Sequence, residues 1–345
     1  MRLPPRLGVV GTGSLGYHHA RLLRDMPNTA FGGFFDTNSQ RAAQVSRELG
    51  VQAHGTFEAL LHDVDAVSIV VPTPAHHAVA MQALAAGKHV LIEKPIATTL
   101  GEADEIVALA TARGLLVQIG HIERFNRAIR AALPYVDDPL FIDSDRLAPF
   151  NPRGSDVAVV LDLMIHDIDL LLTLTGAKVL HVAAVGIPVL TGSIDIANAR
   201  ISFANGAVAT ITASRVSKDR MRKLRIFQRN GYLSLDLAAG TAETYRLRRD
   251  VDRALLAQTA QPLEAFVERV VLDAPEGEPL RLELEGFVTA LTGGGPVAVS
   301  GADGREALAV ALRIVQEIER SLPAASGPVG AGAPGAGAPG ASAGA

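Results

Sequence analysis

The 345-residue sequence contains no cysteine and no tryptophan, and aromatic residues make up only 4% of it. Without cysteine, disulfide bonds and thiolate metal sites are excluded, and we predict no metal centre. No apolar run is long enough for a membrane helix, and the start of the chain, MRLPPRLGVV, does not resemble a secretion signal. The net charge of −4 provides no basic field for nucleic acid. We therefore expect a soluble, cytoplasmic protein that binds neither nucleic acid nor a membrane.

Lysine is also scarce, since only five of the 32 basic residues are lysine and the other 27 are arginine. A lysine at a special position is therefore more informative here than in a lysine-rich chain. The length suggests two domains, given about 100–200 residues for each. We predict a nucleotide-binding domain over 1–121, a substrate-binding and oligomerisation domain over 122–322, and a disordered tail over 323–345. The tail is rich in glycine, alanine and proline and repeats GAGAPG, so it cannot bury enough apolar surface to fold.

The first third of the chain alternates short apolar strands with helices. Strands are predicted at Leu7–Gly11, Phe31–Asp36, Ala66–Pro72, His89–Pro95 and Leu115–His121. Helices are predicted at Ser39–Leu49, His76–Ala86 and Leu100–Arg113, with another after the first strand. Continuously apolar strands separated by helices are typical of a parallel, doubly wound α/β sheet.

A glycine-rich turn, GTGSLG, joins the first strand to the first helix, where a pyrophosphate would meet the helix N-terminus. Asp36 ends the second strand, 20 residues after the last glycine, where a carboxylate binds a ribose hydroxyl. That carboxylate would repel a 2′-phosphate, which favours NAD over NADP, although the nearby Arg41 could bind such a phosphate. The predicted cofactor contacts here are Gly11, Gly13, Ser14, Leu15, Gly16, Asp36 and Arg41.

The sequence HVLIEKP places Glu93 and Lys94 at the carboxyl end of a buried strand. Ligands of open α/β sheets bind at that edge, so the amine of Lys94 should lie near the nicotinamide ring. A lysine there can polarise a substrate hydroxyl as a cation, or act as a base after losing its proton. The alternative is an ordinary surface pair of Glu93 and Lys94.

A nearly all-apolar segment, VVLDLMIHDIDLLLTLTG, follows in the second half of the chain and reads as a helix over about 157–175. Asp162, His166 and Asp169 occur at i, i+4 and i+7, so they should form one polar stripe. Buried polar groups need partners, so this stripe should face a cavity, a ligand or other polar groups. It could hold a catalytic Asp–His pair or only a structural hydrogen-bond network, with Asp169 in a supporting role and Asp167 pointing elsewhere.

The glycine turn, the EKP sequence and the D-x-x-x-H pattern together resemble the Gfo/Idh/MocA oxidoreductases over about residues 6–320. The resemblance implies a Rossmann domain followed by a domain with a large, mostly antiparallel sheet that is open on one face. It also implies Lys94, Asp162 and His166 as the catalytic residues. Thr73, His76 and Glu93 would line the nicotinamide site, although His77 is an equally good match to the family histidine.

The second half also has strand patterns of its own. Strands are predicted at Phe141–Leu147, Val179–Val189, Asp195–Phe203, Val208–Val216, Lys223–Gln228 and Tyr232–Leu237, and helices at Leu280–Leu291 and Arg305–Leu322. Asn205-Gly206 and Asn230-Gly231 are typical hairpin turns. Because a sheet covered on one face leaves the other free, we expect a homo-oligomer formed through this sheet.

Three longer segments, GHIERFNRAI, RLAPFNPRGSDVAVVLDLMIHDIDL and the stretch around ASRVSKDRMRKLRIFQ, resemble the UDP-N-acetylglucosamine 3-dehydrogenase branch of this family. That resemblance implies oxidation of the sugar C3 hydroxyl, with a product used by a pyridoxal-dependent aminotransferase, for example in lipid A synthesis. Arg124, Arg146 and Arg153 would be candidate donors to the substrate, with Arg124 and Arg153 the predicted contacts.

The predicted mechanism uses His166 as the base, Asp162 to fix the tautomer of the imidazole, and Lys94 to donate to the reacting oxygen. The reverse assignment, with Lys94 as the base, stays open. The sequence is also compatible with a dehydrogenase for a different sugar, a cyclitol or a UDP-sugar uronate. An enzyme that recycles a tightly held cofactor and a non-catalytic NAD sensor stay open as well.

Overall fold

A computed structural model describes residues 4–152, 157–248, 251, 262 and 265–322. In these residues it contains a five-stranded sheet and an eight-stranded sheet, each with helices packed on it. The parallel first sheet and the mostly antiparallel second sheet confirm the predicted α/β fold class. Within the same residues, no helix is both long enough and apolar enough to cross a lipid bilayer.

The first sheet has the strand order β2-β1-β3-β4-β5, and all of its neighbouring pairs are parallel. Its strands are β1 (Arg6–Val10), β2 (Ala30–Phe35), β3 (Ala66–Ile69), β4 (His89–Glu93) and β5 (Val117–Gly120). Its helices are α1 (Ser14–Arg24), α2 (Ser39–Leu49), α3 (Phe57–Asp63), α4 (His76–Ala85) and α5 (Leu100–Arg113). The short helix α3, capped by the side chain of Thr56, was not predicted.

The second sheet has the order β13-β12-β11-β10-β6-β9-β8-β7, in which only β6 and β9 pair in parallel. Its strands are β6 (Phe141–Leu147), β7 (Val179–Ile187), β8 (Ile196–Phe203), β9 (Val208–Ser214), β10 (Met221–Gln228), β11 (Gly231–Asp236), β12 (Thr241–Leu247) and β13 (Val267–Leu272). The two Asn-Gly hairpins join antiparallel neighbours, as predicted. The sequence did not indicate β12 and β13, which extend the sheet beyond the second hairpin.

The remaining helices cover the inner face of the second sheet or return to the first domain. They are α6 (Arg127–Ala132), α7 (Ile165–Thr175), α8 (Pro279–Leu291) and α9 (Gly301–Ser321), and a π-helical turn (Val160–Met164) directly precedes α7. Phe287 of α8 is fully buried in one core with Val9 and Phe34 of the first sheet. Leu308 of α9 belongs to a core shared with Ile119 of β5. Both helices therefore pack in cores that they share with the first sheet and join the second domain to it.

Candidate active site

A cavity of about 890 Å³ lies at the carboxyl edge of the first sheet, where the second domain covers it. The first domain contributes the glycine turn, the end of β2, the loop after β3 and the end of β4. The second domain contributes Val157, Leu161 and Asp162. Of the predicted cofactor contacts, the cavity wall includes Gly11, Gly13, Ser14, Leu15, Asp36, Thr73, His76, Glu93 and Lys94.

The glycine turn has the geometry that a dinucleotide requires. Gly11 has a φ of +84°, and a side chain there would lie 2.8 Å from the carbonyl oxygen of Val70. A side chain at Gly16 would overlap the carbonyl oxygen of Gly11, whereas one at Gly13 would meet no atom within 4 Å. Helix α1 has no side-chain cap and no acidic residue in its first turn, so its first amides remain available to a phosphate. The turn is therefore shaped for a pyrophosphate, and the residues present fit a bound NAD.

Asp36 and Arg41 are both tied to the glycine turn. One carboxylate oxygen of Asp36 accepts from the amide and the hydroxyl of Thr12, at 2.6 and 2.9 Å, and the other accepts from the amide of Asn38 at 2.8 Å. The guanidinium of Arg41 donates to the main-chain oxygens of Thr12 and Gly13 and lies over the ring of Tyr17. Asp36 thus remains in the cavity wall, while Arg41 braces the turn.

Of the two adjacent histidines, His76 is the one at the cavity. Its ring nitrogens lie 2.8 Å from the carbonyl oxygen of Pro95 and 2.9 Å from that of Val71, and burial lowers its pKa. His76 therefore joins the loop after β3 to the turn that carries Lys94. His77 instead contacts Glu105 at 2.7 Å on the outer side of α4.

Lys94, from the first domain, contacts Asp162 on the π-helical turn of the second domain. The Nζ atom of Lys94 donates to the main-chain oxygen of Asp162 at 2.7 Å and lies 3.4 Å from its Oδ1 atom. Both side chains are partly exposed, with 18% and 35% of their surfaces accessible. The amine is therefore held by the second domain and still reaches the cavity.

The structure corrects the predicted contact between Asp162 and His166. In the described part of the chain, no hydrogen bond joins these two side chains, and the carboxylate of Asp162 faces Lys94 instead. The cause is the π-helical turn from Val160 to Met164, which widens the helix just before α7. Such a turn changes the spacing of side chains, so the i, i+4 stacking of a regular α-helix does not apply across it.

His166 is partly buried near positively charged side chains, and its imidazole is therefore uncharged at neutral pH. Burial lowers its pKa well below the usual value, and the charges of Lys94, Arg146, His121 and Arg222 lower it further. Its Nδ1 atom is buried without a hydrogen-bond partner among the described residues, although the residue as a whole keeps partial exposure. The ring of His121 packs edge-on against it, with centroids 6.4 Å apart. A neutral imidazole in this position can accept a proton.

Two buried ion pairs fix the helix that carries His166. Arg146 donates to Asp167 at 2.6 Å and to Glu123 at 2.9 Å, and all three side chains are almost fully buried. Arg124 binds both carboxylate oxygens of Asp169, at 2.6 and 2.8 Å. Removing one partner of such a pair leaves a buried, uncompensated charge, so these contacts define the helix position.

Arg124, a predicted substrate contact, is engaged in an internal ion pair. Its guanidinium contacts Asp169 and the main-chain oxygen of Ala298, and it does not line the cavity. Arg146 is likewise an internal residue. The other predicted substrate arginine, Arg153, lies outside the described residues.

Four residues around the site were not predicted from the sequence, namely His19, His121, Arg222 and Glu283. His19, His121 and Glu283 are buried polar side chains, and Arg222 is a half-exposed cation that interacts with His166. Only His121 carried a usable signal, because it directly follows the end of β5. Among the residues that the structure describes, no group of three or more histidine, aspartate or glutamate side chains could hold a metal ion.

Comparison with known proteins gives two family matches. Residues 5–121 match the model of an oxidoreductase family with an NAD-binding Rossmann fold, and residues 118–234 match the GFO/IDH/MocA C-terminal domain. UDP-N-acetylglucosamine 3-dehydrogenase of Acidithiobacillus ferrooxidans is 40% identical over 318 residues, which is 92% of this chain and 98% of that protein. A solved structure with that name from the same organism aligns with a TM-score of 0.83, 39% identity and the same two coverages. The scyllo-inositol 2-dehydrogenase (NAD(+)) of Bacillus subtilis is 30% identical over 231 residues, covering 61% of this chain and 68% of that protein.

Proposed function

Because this chain belongs to the Gfo/Idh/MocA family of oxidoreductases, we propose that it oxidises the C3 hydroxyl of UDP-N-acetylglucosamine to a ketone with NAD. The relative with that activity in its name spans nearly the whole chain, which supports this choice of substrate. The observation that carries the chemistry is the contact of Lys94 with Asp162 at the cavity wall, because Asp162 lies on the π-helical turn that leads directly into the helix of His166.

In the proposed reaction, His166 is the general base. Its imidazole is uncharged at neutral pH and takes the proton of the C3 hydroxyl on its accessible side. The ammonium of Lys94 donates a hydrogen bond to the same oxygen and stabilises the negative charge that develops there. Asp162 orients Lys94 through its main-chain oxygen and its carboxylate. A bound NAD would supply the acceptor for the hydride that leaves C3. This arrangement favours His166 over Lys94 as the base.

NAD is the proposed cofactor in preference to NADP. The carboxylate of Asp36 stands at the end of β2, where it would bind a ribose diol and repel a 2′-phosphate. Arg41 could counter that repulsion, but its donors point to the main-chain oxygens of the glycine turn.

Arg222 is the proposed contact for the diphosphate of the nucleotide sugar. Its guanidinium is 37% exposed and lies 3.5 Å from the carboxylate of Glu123, which Arg146 binds more closely. Arg146 and Arg220 place further positive charge near it, and Glu123 and Asp167 place negative charge there. Forked donors of this kind suit phosphate oxygens.

We also propose a homo-oligomer formed through the open face of the second sheet. That face carries a row of stacked rings, from Phe141 and Phe227 to Tyr232 and Tyr245, with neighbouring centroids 4.8–5.7 Å apart. Val185 and Ile187 on β7 are more than half exposed. A molar mass in solution equal to that of one chain would contradict this proposal. The cytoplasmic location, the use of the product by an aminotransferase and the link to lipid A stay predictions.

The test is a substrate panel with the purified protein and NAD, in which the formation of NADH is followed by absorbance. The panel contains UDP-N-acetylglucosamine, UDP-glucose, the UDP-sugar uronate, scyllo-inositol and myo-inositol, with a carbonyl trap to pull the oxidation forward. We expect turnover of UDP-N-acetylglucosamine and a product that lacks two hydrogen atoms. Turnover of the inositols alone would assign the chain to the cyclitol dehydrogenases. Cofactor binding without turnover of any alcohol would support an NAD sensor.

A further inference from the structure

We propose that His19 is a positioning residue that keeps the carboxylate of Glu93 charged and fixed beside Lys94. His19 is fully buried on α1, one turn after the glycine turn, and it does not line the cavity. Among the described residues, its side chain contacts Ser68 and Glu93. The proposal rests on the proposed oxidoreductase function, and its effect is exerted through Glu93.

The contacts of His19 explain how it acts. Its Nδ1 atom lies 2.8 Å from the hydroxyl of Ser68 on β3, and its Nε2 atom lies 3.2 Å from Oε1 of Glu93. The second contact is an ion-pair contact whose alignment falls short of a good hydrogen bond. Because a carboxylate can only accept, Nε2 must carry the proton that points to Glu93. Ser68 holds the ring from the other side.

Glu93 is confined on its opposite side by Gly120. A methyl group at position 120 would lie 2.9 Å from the carboxyl carbon of Glu93 and 3.0 Å from each of its oxygens. The other oxygen of Glu93 faces the main-chain amide of Lys94 at 3.3 Å. The carboxylate therefore sits between His19 and β5, directly before the residue that reaches Asp162.

Five titratable side chains surround the carboxyl group of Glu93. His19 on α1 and Lys94 at the end of its own strand favour the ionised form, and His76 on α4 and His121 after β5 lie within electrostatic range. Glu283 on α8 is a second buried carboxyl group, and burial together with the charge of Glu93 raises its pKa well above the usual value. Burial would raise the pKa of Glu93, but the contact with His19 and the charge of Lys94 keep it below the ordinary value. The contact with His19 therefore favours the ionised form of Glu93, whereas the surroundings of Glu283 favour its neutral form.

This charge faces the cofactor site, because Glu93 lines the cavity. The nicotinamide ring is cationic in NAD⁺ and neutral in NADH, so a carboxylate nearby should favour the oxidised form. The ratio of the two affinities is therefore a measure of the charge on Glu93, and it needs no sugar substrate.

The experiment compares binding of NAD⁺ and NADH by titration calorimetry between neutral and mildly acidic pH. His19→Asn keeps a donor near Ser68 but cannot reach Glu93, whereas His19→Gln places its amide near the position of Nε2. We expect His19→Asn to lose roughly tenfold in NAD⁺ affinity relative to NADH as the pH falls, because Glu93 then becomes protonated. His19→Gln should restore most of that loss. His18→Asn, an exposed neighbour on the same helix, is the matched control and should bind as the wild type does.

Two further variants separate positioning from folding. In a Glu93→Gln background, His19→Asn should add no further loss, since the two residues act through one contact. Gly120→Ala should displace Glu93 from the side of β5 and so reproduce the pH-dependent loss of NAD⁺ affinity relative to NADH. This variant replaces His19→Asn in the test if His19→Asn does not fold. Unchanged NAD⁺ to NADH ratios in both His19→Asn and Gly120→Ala, or full additivity with Glu93→Gln, would overturn the proposal. A wild type that binds NAD but does not oxidise the sugar would defeat the proposed function and leave this inference standing.

Discussion

The Nζ atom of Lys94 lies 2.7 Å from the main-chain oxygen of Asp162, 68 residues further along the chain. This contact brings the end of β4 to the turn that leads into α7, which begins at Ile165 and carries His166 in its first turn. A cavity large enough for a dinucleotide opens beside it. The expected effects of substitutions at the site depend on this contact between the two domains.

Replacing His166 with Ala should lower kcat by about a hundredfold or more, because it removes the base. In the wild type, kcat should fall with acid only at a pH well below the ordinary histidine value of about 6.5, since the lowered pKa keeps the imidazole neutral down to that point. Steady-state rates over a pH series measure both effects. A His166→Ala enzyme with near-wild-type turnover would remove the residue from the chemistry.

Lys94→Ala should also lower kcat by about a hundredfold or more, whereas Asp162→Asn should have a much smaller effect. The amide variant retains the main-chain oxygen that accepts the 2.7 Å hydrogen bond. The comparison of the two kcat values tests whether Asp162 acts mainly on Lys94. If Asp162→Asn is as damaging as His166→Ala, the carboxylate must act on the imidazole after all.

Asp36→Ala should weaken NAD binding by roughly tenfold and reduce the discrimination against NADP, because the ribose acceptor and the repulsive charge are both lost. KM values for the two cofactors provide the measurement. Thr12 also loses two hydrogen bonds to Asp36, so a thermal melt of the variant is the necessary control. A variant that still strongly prefers NAD would move cofactor choice to other residues.

Arg222→Ala should raise the KM for the nucleotide sugar by roughly tenfold, with a smaller effect on kcat, because it removes a charge-assisted contact away from the reacting carbon. Arg281→Ala, which breaks an exposed pair on α8, is the matched control and should leave KM unchanged. Equal KM values in the two variants would place the diphosphate elsewhere.

Glu283→Gln should stabilise the protein as the pH rises from about 4.3 towards neutrality. Burial raises the pKa of Glu283 well above its usual value, and Glu93 and Asp169 raise it further. In that pH window the unfolded chain ionises Glu283 while the folded protein keeps it neutral, so the wild type loses stability with increasing pH. We expect the Tm of the variant to exceed that of the wild type by a few degrees at neutral pH and by less in acid. Glu285→Gln on the same helix should show no such trend.

Much of the fold was predictable because its signals are local. The buried strands of the first sheet, the glycine turn and the two Asn-Gly hairpins each occupy a few adjacent residues. Strands β12 and β13 each carry one glutamate and one arginine, and the ion pairs between them, such as Arg269 with Glu243, form only when the strands are paired.

The candidate site was predictable in its residue types but not in its pairings. Lys94 and His166 could be selected from position and burial pattern alone. The partner of Arg124, Asp169, lies 45 residues away, and the main-chain partner of Gln118 is at Glu283, 165 residues away. Because of the π-helical turn before α7, the carboxylate of Asp162 faces Lys94 instead of His166. Periodicity assumes a regular helix, so it could not indicate that change.

The most direct test uses UDP-N-acetylglucosamine deuterated at C3, with wild-type enzyme and NAD. We predict slower turnover than with unlabelled substrate and transfer of the deuterium to the reduced cofactor. Deuterium that remains in the sugar after oxidation, or no turnover of this sugar while an inositol reacts, would contradict the proposed hydride transfer from C3.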